Sequence, residues 1–131
     1  MVSLFERFSS KTDNNTEMEV PVMSIRYVEN NEDFMNIIKE NPNVLVEFFA
    51  TWCPHCKAFQ PTLEQASEDL AREGVVVAQC DVDRLQDLAG EFGVEATPTI
   101  YFVKNGQPVL KSEGERDEEG IFEFVKEGEQ A

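Results

Sequence analysis

The chain has 131 residues, 41% of them apolar and 28% charged, which is enough to bury the core of one globular domain. Its 26 acidic residues against 11 basic ones give a formal net charge of -15, a field that repels phosphate backbones and anionic lipid and so argues against nucleic-acid or membrane-surface partners. No apolar run approaches the roughly 20 residues of a membrane span, and three cysteines, two of them three positions apart, do not make the framework of a disulfide-stapled secreted scaffold.

Residues 1–22 are polar and contain "KTDNNTE", which predicts a flexible N-terminal tail. Leu4, Phe5 and Phe8 offer at most one amphipathic turn there. The stretch has neither the basic n-region nor the apolar h-region of a secretory signal, so a cytoplasmic protein is expected. The folded domain is expected over residues 23–131.

Ile25–Tyr27 reads as a short strand. Asn31 is expected to cap a helix running to about Glu40, with Phe34, Ile37 and Ile38 on one face and Pro42 as its stop. "VLVEFFA", Val44 to Ala50, is the near-continuous apolar run of a strand covered on both faces. A long helix follows, with Phe59, Leu63, Ala66 and Leu70 at helical spacing. Pro61 is expected to kink it, and Gly74 suits its end. Val75–Asp81 is a second buried strand, and Leu85, Leu88, Ala89 and Phe92 mark a short helix ending at Gly93. Thr99–Val103 and Pro108–Ser112 flank Asn105-Gly106, a hairpin signal, and Pro108 places the second of these strands at a sheet edge. A last helix begins near Asp117 with Ile121, Phe124 and Val125 facing inward. The order β-α-β-α-β-α-β-β-α predicts an α/β domain, a mixed sheet with helices on both faces.

The chemistry is concentrated in "ATWCPHCK", Ala50 to Lys57. Cys53 closes a strand and precedes Pro54, and proline favours the first position of a helix. Cys53 is therefore the expected N-cap, with His55 and Cys56 at the second and third helical positions. A sulfur there accepts free backbone N–H groups and sits at the positive end of the helix dipole. A protonated His55 beside it would lower the Cys53 pKa further. Cys56, one turn along and more enclosed, lies within reach. An activated thiolate plus a resolving thiol are the parts of a thiol–disulfide exchanger. A zinc site would need further ligands, and only His55 and Cys80 remain to supply them, so no metal is expected. A purely structural disulfide over so short a loop would constrain the unfolded chain weakly.

With these motifs the chain resembles the thioredoxin family. "VLVEFFATWCPHCKAFQP" matches its strand, Trp-Cys-x-x-Cys-Lys motif and helix proline; "VAQCDVD" matches the next strand; "FGVEATPTIYFVKNGQP" matches the segment whose proline faces the dithiol, and the hairpin. The likeness covers about residues 25 to 126. It implies the thioredoxin fold, a central mixed sheet of about five strands flanked by four helices. It implies Cys53 as nucleophile and Cys56 as resolving thiol. Pro98 would follow a cis peptide bond, with the backbone of Thr97 pairing with an extended substrate and Trp52, Pro54 and Gly114 bordering the groove.

Glu47 is the one charge within "VLVEFFA". Its burial would raise its pKa and make it a proton acceptor for Cys56; the alternative is a side chain that reaches solvent at a strand end. The family commonly has Asp there and a Lys on the neighbouring strand, where this chain has Gln79. Lys57 is usual for the family, Cys80 reads as a small core residue, and Phe49 stands where the family often has Trp.

Pro54-His55 replaces the Gly-Pro of ordinary thioredoxins and resembles the pair found in periplasmic dithiol oxidases, which implies a more oxidising couple. The chain has no room for the helical insertion of those oxidases. The expected function is a monomeric cytoplasmic reductase of disulfide-containing client proteins, recharged by a flavin-dependent thioredoxin reductase, with no cofactor beyond its own dithiol. The alternatives are an exported oxidase or isomerase, and a thioredoxin-fold binding module whose dithiol is incidental.

Overall fold

The computed structural model describes residues 24–131. The tail expected over residues 1–22 lies outside them, and so does Met23, where the domain was expected to start. The elements follow the expected order: β1 (Ile25–Tyr27), α1 (Asn31–Glu40), β2 (Asn43–Phe49), α2 (Pro54–Arg72), β3 (Val76–Asp81), α3 (Gln86–Glu91), β4 (Thr99–Lys104), β5 (Gln107–Glu113) and α4 (Glu118–Gln130). The five strands form one sheet in the order β1-β3-β2-β4-β5. β3 pairs in parallel with β1 and β2, while β4 runs antiparallel to both β2 and β5. This is the thioredoxin fold, with four helices around a five-stranded mixed sheet.

Alternation along β2 divides the core. Val44, Val46 and Phe48 point to the face covered by α1 and α3, where Phe34, Ile37, Leu88 and Tyr101 join them. Leu45 points the other way, to Phe59, Leu63 and Leu70 of α2 and Ile121 and Phe124 of α4. Glu47 has the parity of Leu45, so its carboxylate enters the layer beneath α2. Burial is complete along the middle of the strand, Glu47 included.

The ends of the elements have local causes. α1 is capped by Asn30 rather than Asn31: the Asn30 side chain accepts the Asp33 N–H at 2.8 Å, and the Asp33 carboxylate accepts the Glu29 N–H at 3.0 Å. The carboxylate three residues on makes Asn30 the better cap of the pair. β2 ends one residue before Ala50, whose carbonyl accepts the Cys53 N–H in the turn into α2. β3 begins one residue after Val75, because the Val75 N–H is spent on the Leu70 carbonyl and that of Gly74 on Ala71, a paired closure of the α2 end. α2 runs through Pro61 as one 19-residue helix. Asn105 and Gly106 turn the β4–β5 hairpin with φ of 52° and 81°, a conformation that accounts for the glycine. β5 is an edge strand, as Pro108 suggested, and its pairing skips Val109. No described helix is long and apolar enough to cross a membrane.

Candidate active site

Cys53 is the N-cap of α2, with Pro54 at the first helical position. Its Sγ accepts the Cys56 N–H at 3.2 Å, and its thiol donates to the Thr97 carbonyl at 3.5 Å. Enclosure pushes the Cys53 pKa up. The hydrogen bonds with the Cys56 thiol and Thr97, and those from the Cys56 and His55 N–H groups, outweigh it and leave the thiol below its ordinary range. Cys56 goes the opposite way. Burial, then its hydrogen bond to the Cys53 sulfur, push it up to about 12. Both thiols are free, and of the two it is Cys53 that more readily gives up its proton.

The wall opposite is the Thr97-Pro98 turn, whose peptide bond is cis. The Pro98 carbonyl accepts the Gly114 N–H at 2.8 Å, which joins this turn to the loop after β5. A cleft of about 220 Å³ beside it is lined by Trp52, Val82, Val94, Glu95, Ala96 and Thr97. Trp52 is 66% exposed, yet its Nε1 donates to Asp83 at 2.9 Å and so is tied to the loop after β3. Pro54, Pro98 and Gly114 are not among the residues that line this cleft.

Glu47 lies opposite Gln79 in the β2–β3 register. Gln79 Nε2 donates to Glu47 Oε1 and to Gln60 Oε1, both at 2.7 Å, and Gln60 Nε2 donates to Glu64 at 3.0 Å. Glu47 Oε2 is buried without a partner. Desolvation raises the Glu47 pKa to about 7, against a smaller lowering by Gln79. No direct hydrogen bond joins Glu47 to either thiol. Cys80 is buried in β3 and pushed up to about 12, mainly by burial, which leaves it an inert packed thiol. Among the described residues no group of three or more His, Cys, Asp or Glu side chains is placed to hold a metal ion.

Three site neighbours escaped the sequence reading. Gln60, one turn beyond Cys56, carried a usable signal in its helical spacing. Asp83 and Glu115 carried none, being two acids among 26. Glu115 Oε2 lies 2.7 Å from His55 Nδ1.

A helix-capping thiol with a lowered pKa, a buried partner thiol one turn along and a facing proline turn make the arrangement of a thiol–disulfide exchange site. Comparison with known proteins agrees. A family model described as thioredoxin matches residues 25–127. Human protein disulfide-isomerase A2 is 43% identical over 93 residues, which are 68% of this chain and 18% of that protein. A protein disulfide-isomerase of Hordeum vulgare is 37% identical over 95 residues, 72% of this chain and 18% of that protein. The chain therefore spans about a fifth of the length of these curated relatives. Among solved structures, mitochondrial thioredoxin 3 from Saccharomyces cerevisiae in its oxidized form superposes with a TM-score of 0.70 at 34% identity, covering 82% of this chain and 99% of that one. The thioredoxin of Malassezia sympodialis gives 0.74 at 29% identity, with 86% and 96% covered. The chain belongs to the thioredoxin family.

Proposed function

We propose that the protein reduces disulfides of client proteins by dithiol–disulfide exchange. The Cys53 thiolate attacks one sulfur of the client disulfide; a Cys53–client bond forms as the client S–S bond breaks, and the leaving thiolate takes a proton from solvent. Cys56 then loses its proton and attacks Cys53 Sγ. The mixed disulfide breaks, the second client thiolate leaves, and two electrons have passed from the dithiol to the client. The opposed pKa values of Cys53 and Cys56 carry this reading, since they divide the pair into attacking and resolving thiols.

Glu47 serves in this reading as the acceptor of the Cys56 proton. Its pKa near 7 suits it to take up and release a proton at neutral pH. Trp52, Thr97 and Pro98 receive the client segment, with Pro54 and Gly114 at the edges. The likeness to thioredoxins supports a monomer supplied with electrons by a flavin-dependent thioredoxin reductase in a reducing cytoplasm.

A second reading is isomerase or oxidase work in an oxidising compartment. It is favoured by His55 beside the thiolate and by the likeness to protein disulfide-isomerases.

The test is insulin disulfide reduction with NADPH and thioredoxin reductase, alongside reactivation of scrambled ribonuclease. Cys53→Ser should abolish both activities, and Cys56→Ser should accumulate client mixed disulfides on Cys53. Acceptance of electrons from the reductase supports the first reading; ribonuclease reactivation without it supports the second. Absence of mixed disulfides would overturn the assigned roles.

A further inference from the structure

His55 is the residue that sets this dithiol apart from ordinary thioredoxins, and it does not act alone. Its side chain is 74% exposed, and its Nδ1 meets Glu115 Oε2 at 2.7 Å across a sequence separation of 60 residues. Solvent competes with such a contact, so the backbone has to hold the partners in place. It does so on both sides. His55 is fixed at the second position of α2. Glu115 follows Gly114, whose N–H is bonded to the Pro98 carbonyl, so the loop after β5 is pinned to the turn that faces the dithiol.

The neighbouring cation does not divert Glu115. Arg116 Nε donates to Ser112 Oγ at 2.9 Å and its Nη1 to the Gly120 carbonyl at 3.3 Å, with the guanidinium 5.3 Å above the Phe124 ring. Arg116 is thus committed to the start of α4. Glu115 has His55 as its ion-pair partner among the described residues.

We propose that Glu115 is a positioning residue of the redox site: through His55 Nδ1 it holds the imidazole charged and fixed beside the Cys53 sulfur, and so biases the couple towards the dithiol. The inference rests on the reading of Cys53 and Cys56 as a redox pair.

Two electrostatic effects oppose each other here. The carboxylate keeps the imidazole protonated, which favours a thiolate nearby, while its own negative charge disfavours that thiolate. Solvent exposure decides between them. The Cys53 charge is among the causes that raise the His55 pKa, and since a Coulomb interaction is reciprocal, the imidazolium in turn favours the thiolate. The Glu115 side chain is 40% exposed, so solvent screens its direct field on the sulfur. The net effect favours the thiolate.

The pH dependence follows. The hydrogen bond to Glu115 and then its charge raise the His55 pKa, against a small lowering by desolvation. The imidazolium, and its support for the thiolate, is complete below the ordinary histidine pKa and fades as pH rises through the raised one. The charged groups around His55 are Glu115 from the loop after β5, the Cys53 sulfur at the helix cap, and exposed Lys57 further along α2. Asp83, in the loop after β3, is engaged by Trp52.

When the couple is oxidised, the Cys53 thiolate and the Cys56 thiol give up two electrons and one proton and form the S–S bond. Glutathione disulfide takes both electrons and two protons, the second from solvent, and becomes two glutathione molecules. Whatever holds the thiolate resists this oxidation and makes the disulfide the stronger oxidant.

The experiment is the redox equilibrium of the full chain with glutathione at neutral pH. It is paired with titration of Cys53 by thiolate absorbance and of His55 by NMR. Glu115→Gln should shift the equilibrium towards the protein disulfide by about 2- to 5-fold, the range of one exposed ion pair. It should raise the Cys53 pKa, lower that of His55, and move the pH profile of the equilibrium to lower pH. Glu115→Asp should recover part of the effect, and Glu115→Gln added to His55→Ala should do nothing further. An unchanged equilibrium in Glu115→Gln, a shift towards the dithiol, or an equal shift in the His55→Ala background would each overturn the proposal. A wild-type chain that forms no Cys53–Cys56 disulfide against glutathione would overturn the redox reading and this inference together.

Discussion

The two faces of the sheet are built from the same strands but filled differently. Beneath α1 and α3, Phe34, Phe48, Phe92 and Tyr101 meet edge-on or tilted with ring centroids 4.9 to 5.9 Å apart, and the Tyr101 hydroxyl donates to the Phe92 carbonyl. That is ordinary aromatic packing with its one polar tip satisfied. Beneath the first turns of α2, Glu47, Gln79 and Gln60 form a hydrogen-bonded row that leaves one carboxylate oxygen without a partner. A fully buried, half-satisfied acid lowers stability, and it lies on the face that carries the dithiol. One face is arranged for folding; the other gives up some stability for a titratable group under its redox pair.

If that division holds, damage to each face should read out differently. The largest effect is expected from Phe48→Ala, which empties a fully buried site against two aromatic rings, Phe92 and Tyr101. It should cost about 3–5 kcal/mol in urea unfolding. In chain that remains folded, the Cys53 pKa should not move. A shifted Cys53 titration would show that the faces communicate and would break the comparison.

On the opposite face, Glu47→Gln tests the acid. The Glu47 pKa rises from 4.5 to about 7 on folding, so the native state holds a proton that the unfolded chain releases. Its contribution therefore favours folding most at low pH, and stability declines as pH climbs from about 4.5 through about 7. The shift corresponds to about 3 kcal/mol between those limits. Unfolding of wild type and Glu47→Gln below and above this window should show the wild type losing that much more. An equal pH dependence in both would mean that Glu47 is ionised or solvated in the fold.

Legibility in the sequence follows the range of the interactions. Apolar periodicity, helix stops and the Asn105-Gly106 turn are local, and they placed every element to within a residue or two. The Asn30 cap was missed in favour of Asn31 although its mark, Asp33 three residues on, was present. The dithiol was legible because strand, N-cap, proline and second thiol lie within a few positions of one another. The Thr97-Pro98 cis bond came from the family likeness, since an X-Pro dipeptide by itself says little about its isomer. The Glu47–Gln79 pair needs the strand register, and His55–Glu115 needs two loops brought together by the fold. Nothing near Glu115 in "SEGERDEE" distinguishes it from its acidic neighbours.

The smallest expected effect compares how the two faces start their helices. α1 begins on the Asn30 side-chain oxygen, α2 on the Cys53 sulfur. An amide oxygen is a strong cap, and Asn30→Ala should cost about 1 kcal/mol with no change in thiol titration. Sulfur is a weak acceptor while protonated, so Cys53→Ala measured at low pH should cost less than Asn30→Ala. Once the pH exceeds the lowered Cys53 pKa, the wild-type cap is a thiolate that accepts the Cys56 N–H as an anion, and the difference between Cys53→Ala and wild type should grow. The direction follows from linkage: a group whose pKa is depressed in the native state adds stability at higher pH and loses it as pH falls. Equal costs at the two caps across the whole pH range would mean that the sulfur closes the helix as any polar residue would, and that its ionisation owes nothing to the helix it begins.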